Sequence, residues 1–130
     1  MAIAADSVVG GLPAWRVRRV AEHIDRNLDK PLPLTELAAV VYMSRFHFAR
    51  LFRRSTGHPP HRFVIRQRIA RAREFLARPE LTIAEISRRV GFRTPNHFTT
   101  MFRRVSGVTP SGYRIEHARA PRPHADGGAQ

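Results

Sequence analysis

Apolar residues recur along this chain at three- and four-residue spacing. The spacing predicts an all-α protein of seven helices. Val17, Val20, Ala21, Ile24 and Leu28 form the first stripe, in a helix starting near Pro13. Arg16, Arg18, Arg19 and Arg26 fall off it, and Trp15 is expected to pack under this helix. Pro31 and Pro33 break the pattern, because each restricts the residue before it. Leu34, Leu37, Ala38 and Val41 then mark a short second helix, with Tyr42 and Met43 as a tight turn. Ser44 caps a third helix, Phe48, Leu51 and Phe52 are its inner face, and Gly57 stops it. Two short helices about a tight turn, the second one basic, make a helix-turn-helix over residues 34–57.

A longer helix is expected over residues 60–77, with Ile65, Ile69, Ala72 and Leu76 as its apolar seam and Arg66, Arg68, Arg71 and Arg73 mostly off it. At ~1.5 Å per residue it measures about 27 Å, a little under the ~34 Å turn of B-DNA. After the break at Pro79, Thr82 and Glu85 have the spacing of a capping box, and Ile83, Ile86 and Val90 point inward. Thr94 caps a sixth helix, Pro95 starts it, Phe98, Met101 and Phe102 face the core, and Gly107 ends it. This second helix-turn-helix spans residues 82–107. Pro110 opens a last short helix carrying Tyr113. Residues 1–12 and 116–130, small or rich in Pro, Gly and Ala, read as flexible tails around a domain at 13–115.

The two halves are copies. Leu34, Glu36, Leu37 and Val41 match Ile83, Glu85, Ile86 and Val90 at an offset of 49. After one inserted residue the offset is 50, and His47, Phe48, Phe52, Arg53, Arg54, Gly57 and Pro60 match His97, Phe98, Phe102, Arg103, Arg104, Gly107 and Pro110. Matched apolar residues would fit any pair of helical hairpins. Matched caps, a shared Phe-x-x-x-Phe-Arg-Arg string and a shared Gly-x-x-Pro stop are far more specific.

Charge sharpens the functional reading. The 130 residues carry a formal charge of +13, almost entirely as arginine, with Lys30 the only lysine. A chain this basic points to a polyanion, and nucleic acid comes first. A genome that favours arginine over lysine accounts for their ratio but not for the net charge. There is no cysteine, hence no disulfide and no cysteine-based zinc site. His58 and His61 have no third ligand near them in sequence, so neither metal nor cofactor is expected. No phosphate loop, nucleophile elbow or acidic pair is present, and an enzyme is not expected. Neither a signal peptide nor an apolar run of membrane-spanning length is read here, so a cytoplasmic, nucleoid-associated location is expected.

Ile83-Ala-Glu-Ile-Ser-Arg-Arg-Val-Gly-Phe followed by Asn96-His-Phe-Thr-Thr-Met-Phe-Arg-Arg-Val-Ser-Gly-Val-Thr-Pro-Ser-Gly-Tyr-Arg114 resembles the second helix-turn-helix and C-terminal signature of the AraC/XylS family of bacterial transcription regulators. The resemblance covers about residues 15–115. It departs from the family at Tyr42, where the second copy has Gly91, and at Pro33, where many members have a capping Ser or Thr. It implies seven helices, two helix-turn-helix subdomains and a long linker helix. It also implies that helices three and six enter successive major grooves of double-stranded DNA.

The base-facing positions then map to Arg45, Phe46, Ala49 and Arg50, and to Pro95, Asn96, Thr99 and Thr100. Arg45 or Arg50 suits a guanine edge, Asn96 an adenine edge, and Ala49, Thr99 and Thr100 a thymine methyl. The competing readings are a solvated or phosphate-bound Arg50, a local helix-start contact for Asn96, a hydrophobic gap covered by Phe46, and Pro95 as helix starter alone. Arg53, Arg54, Arg103 and Arg104 either contact phosphates or pair with acids such as Glu36 and Glu85. Phe48, Phe52, Phe92, Phe98 and Phe102 are core, not stacking platforms. RNA polymerase is the further partner the family implies, through activation, with repression by occlusion as the other mode. The repeat lies in one chain, so a monomer suffices. Residues 1–12 are too short for an effector domain, so no small-molecule ligand is expected. A non-specific architectural DNA binder and a protein-interaction fragment of a larger sensor are the rival readings.

Overall fold

The computed structural model describes residues 10–119. Among them lie seven helices and no strand: α1 Ala14–Arg26, α2 Leu34–Val40, α3 Arg45–Thr56, α4 Pro60–Leu76, α5 Ile83–Arg89, α6 Pro95–Ser106 and α7 Pro110–Arg119. The chain divides into two compact units, with the boundary between Gln67 and Arg68 inside α4.

The first unit is built on α3. Phe48 and Phe52, one turn apart, are fully buried with their rings 5.2 Å apart, and Phe63 of α4 meets Phe52 edge-on at 5.1 Å. Val20, Ile24 and Leu28 from the first helical segment, and Leu37, Ala38 and Val41 from the second, close around them. Burial of this many aliphatic and aromatic side chains is the main stabilising term. His23 of α1 and Glu36 of α2 meet at 2.6 Å and tie those helices together. Leu12 lies in the expected N-terminal tail, yet it is only 1% exposed and belongs to this core. Its backbone N–H donates to Ser55 Oγ at 2.6 Å. Trp15 differs in the opposite sense. It is 45% exposed, not packed under α1, and the guanidinium groups of Arg16 and Arg19 lie 5.1 and 5.9 Å from its ring.

The second unit repeats the plan. Phe98 and Phe102 are fully buried on α6, and the aromatic series continues from Phe92 on one side to Tyr113 on the other. Ile69, Ala72 and Leu76 of α4 are buried as expected. Toward its start the buried side is taken by Val64, with Ile65 only half-buried. Polar ties add to the apolar contacts. Arg73 Nη2 donates to Ser106 Oγ at 2.8 Å, and Arg114 donates from Nε and Nη2 to the carbonyls of Leu76 and Arg78 at 3.2 and 3.1 Å. Those carbonyls lie at the end of α4, where backbone acceptors lack helical partners. The last helix runs to Arg119, past the expected tail boundary at residue 116, and the rest of the two expected tails, residues 1–9 and 120–130, lies outside the described residues.

Capping follows the sequence closely. Ser44 Oγ accepts from the N–H of His47 at 3.3 Å, and Thr94 Oγ1 from the N–H of His97 at 3.1 Å. Gly57 and Gly107 end α3 and α6 in the left-handed conformation, φ 84° and 86°. Pro33 provides no side-chain cap for α2, whereas Thr82 and Glu85 form a complete capping box on α5. The turns of the two helix-turn-helices also need positive φ. Gly91 takes it at 93°, but in the first copy Tyr42 holds 61° with its side chain 81% exposed.

Two predictions follow from these local geometries. A left-handed non-glycine residue costs about 1–2 kcal/mol, of which glycine's greater unfolded-state entropy returns roughly 0.5–1 kcal/mol. Tyr42→Gly should therefore raise stability by about 0.5–1 kcal/mol in denaturant unfolding, while Gly91→Ala, the same exchange in reverse, should lower it by about 0.5–1 kcal/mol. The second concerns Glu85. The backbone N–H of Thr82, at 2.8 Å, and the Thr82 side chain hold its carboxyl below the usual carboxylate range, with Arg89 and Arg88 adding to the shift. A depressed folded value stabilises the native state above the unfolded carboxylate value, and the contribution disappears as pH falls through the folded one. Glu85→Gln should thus lower Tm near neutrality and flatten its decline on acidification, as read by thermal unfolding across that range.

Candidate nucleic-acid interface

Each repeat directs one short helix face to solvent. On α3, burial of Phe48 and Phe52 turns Phe46, Arg50 and Arg54 to the opposite side, because residues two from a buried position lie across a helix, and Arg53 is exposed beside them. Arg45, at the first turn, is exposed too, and Ala49 is half-exposed between them. Phe46 is 75% exposed, so it does not cover a hydrophobic gap within its own unit. The Arg45 guanidinium lies 4.8 Å from the Phe46 ring. Arg50 Nη2 lies 3.2 Å from His47 Nδ1. Phe46, Ala49, Arg50, Arg53 and Arg54 border one shallow, open depression whose remaining wall is Pro59.

The corresponding face of α6 is less charged. Pro95, Asn96 and Thr100 are exposed, Thr99 is half-exposed, and Arg103 and Arg104 stand exposed at the helix end. Pro95 occupies the first turn as a helix starter. The helix-start hydrogen bond is made by Thr94 rather than Asn96. The acids offered as partners for the paired arginines are engaged elsewhere: Glu36 by His23, and Glu85 by the Thr82 backbone. Arg53, Arg103 and Arg104 are exposed, and Arg54, exposed as a residue, lays its guanidinium against Gly10.

All twelve sequence-derived candidates therefore fall on α3 and α6, eight flanked by the four arginines. Sequence reasoning missed Pro59 and His47. Pro59 lies beyond the Gly57 stop, in the break before α4, and joins the depression only because the chain turns back there. His47 matches His97 in the repeat, and its place three residues before Arg50, on one helix face, is the signal the sequence offers. The linker arginines are also less free than expected. Arg73 binds Ser106, Arg71 lies 3.6 Å from Glu74, and the Arg68 guanidinium sits 6.0 Å from the Phe92 ring, where burial lowers its pKa.

Comparison with known proteins agrees with this arrangement. A family model described as a helix-turn-helix domain matches residues 37–116. The regulatory protein PocR of Salmonella typhimurium is 35% identical over 99 residues, covering 76% of this chain and 33% of that protein. The transcriptional activator NphR of Rhodococcus sp is 36% identical over 105 residues, covering 80% of this chain and 30% of that protein. The chain thus spans about a third of the length of these relatives. Among solved structures, the DNA-binding domain of the global transcriptional factor AdpA, in complex with a target DNA, superposes with a TM-score of 0.76 at 34% identity, over 82% of this chain and 97% of that one. A regulator from Chromobacterium violaceum with an AraC-type DNA-binding domain gives the same TM-score at 26% identity, over 82% and 95%. Among the described residues no helix is long and apolar enough to cross a membrane. Two helix-turn-helix units in tandem, each with an outward basic or polar helix, place the chain in the AraC/XylS family of transcription regulators, as a carrier of its DNA-binding domain.

Proposed function

We propose that this chain is a sequence-specific double-stranded DNA-binding regulator that reads two adjacent major-groove segments as a monomer and activates transcription. The observation that carries the reading is the pair of recognition helices. Each buries two phenylalanines and turns outward side chains that match groove chemistry. In this reading Arg45 and Arg50 fork onto guanine edges and Asn96 pairs with an adenine edge, while Ala49, Phe46, Pro95, Thr99 and Thr100 supply apolar and hydroxyl contacts. Arg53, Arg54, Arg103 and Arg104 neutralise phosphates and set the register. Two unlike heads in one chain suit a non-palindromic site and need no second copy. Activation implies a contact with RNA polymerase in the cytoplasm. The NphR relative, named an activator, supports that mode.

The formal charge of +13 also suits a non-specific architectural binder that rests on phosphate contacts alone. Gel-shift titration of a selected duplex against a scrambled one separates the two. Preference on the order of 10³-fold or more for the selected duplex is expected of a specific regulator. Equal affinity makes the protein architectural, and no binding at physiological salt removes DNA from the account in favour of a protein-interaction module. One protein per duplex in sedimentation is the expected stoichiometry.

Within the specific complex, Arg50→Ala should cost about 1–3 kcal/mol and relax preference at one base pair. Binding measured across single-base variants of the site checks this. An equal loss on every sequence makes Arg50 a phosphate ligand instead.

A further inference from the structure

We propose that His47 is a positioning residue that holds Arg50 in the geometry for reading a base, a role the second repeat lacks. The inference rests on the DNA-reading function proposed above and assigns the specificity of its first head. Arg50 Nη2 and His47 Nδ1 are 3.2 Å apart on the outer face of α3. A guanidinium has only donors, so Nδ1 is the acceptor, and the ring proton is on Nε2. The bond uses one hydrogen of Nη2. The second hydrogen of Nη2 and both of Nη1 stay available for a two-point contact with a guanine edge. Bracing and reading are therefore compatible. An exposed arginine on a long stem otherwise loses rotamer freedom when it docks, and a brace formed beforehand reduces that loss.

The repeat supplies an internal comparison. His97 corresponds to His47, but the residue three positions on is Thr100, not an arginine. The His97 ring instead meets Phe92 edge-on, centroids 5.2 Å apart at 83°. Met43 stands in the first copy where Phe92 stands in the second, and its sulfur faces Arg16 Nη1 at 3.9 Å. The first copy thus lacks the aromatic wall that holds His97, and its histidine engages the arginine. Same residue, same helix position and different neighbours give one histidine a packing role and the other a hydrogen-bonding one.

The test compares the whole wild-type chain with His47→Phe, His47→Gln, Arg50→Ala and the His47→Phe/Arg50→Ala double variant. Each is titrated on a selected duplex and on its single-base variants, at several salt concentrations, with circular dichroism to establish that each is folded. His47→Phe keeps a ring but no acceptor. It should lose about fivefold of discrimination, a part of what a bidentate pair supplies, at the same base pair that Arg50→Ala relaxes. Its salt dependence should match wild type. His47→Gln restores an acceptor and should recover most of the discrimination, and the double variant should behave as Arg50→Ala alone. The proposal is overturned if His47→Phe keeps wild-type discrimination, or if it relaxes a different base pair. A uniform loss with the salt slope reduced by about one also overturns it, since His47 is then a phosphate ligand. Failure of the underlying reading is separately visible: wild type then shows no sequence preference, or Arg50→Ala relaxes no base pair, whatever the His47 variants do.

Discussion

A twelve-residue helix that buries two phenylalanines one turn apart has no freedom left in its orientation. Phe48 with Phe52, and Phe98 with Phe102, fix which side of α3 and of α6 is wet, and the proposed function rests on that constraint. The caps set the length of the exposed face: Ser44 and Thr94 define its beginning, Gly57 and Gly107 its end. The remaining helices supply the walls that the phenylalanines need. Rings approach rings at 5.1–5.7 Å in both units, so displacing one member costs packing along the whole series.

The two units solve one packing problem with different accessories. Beside the buried Leu37 of α2 and Ile86 of α5, the next buried position is Ala38 in one unit and Ser87 in the other, and Ser87 donates to the carbonyl of Thr94 at 3.3 Å. The turn is strained at Tyr42 and relaxed at Gly91. The outward faces diverge further: arginines and a phenylalanine on α3, an asparagine and threonines on α6. Core and caps are what the copies share; the solvent side is where they differ. Such a division lets the outward faces change without disturbing the fold, because surface substitutions away from caps and core leave the buried contacts untouched.

Much of this was readable from residue order. The seven helices, both caps, both glycine stops, the capping box and all five core phenylalanines follow from periodicity and local hydrogen-bond chemistry, which act over a few residues. The misplaced residues depend on contacts made at a distance. Trp15 looks like core by type, yet two arginines one and four residues on cover its ring in the open. Val64 displaces Ile65 because both are apolar and adjacent, and only the partner surface selects between them. Glu36 answers to His23, 13 residues away, a pairing no helical spacing encodes. For the interface, the two helices were legible from the repeat and their base-facing candidates from the family resemblance; the three-residue spacing of His47 and Arg50 allowed their bond without fixing it, and Pro59 needed coordinates.

Leu12 carries a practical corollary. Its side chain fills the first core ahead of α1, and its N–H is held by Ser55 at the far end of α3. The packing border of this unit is thus drawn by a residue that belongs to no helix. A graft of the domain onto another protein that begins at Ala14, where the helix begins, would leave a hole the size of a leucine beneath α3. The junction has to be cut upstream of that anchor.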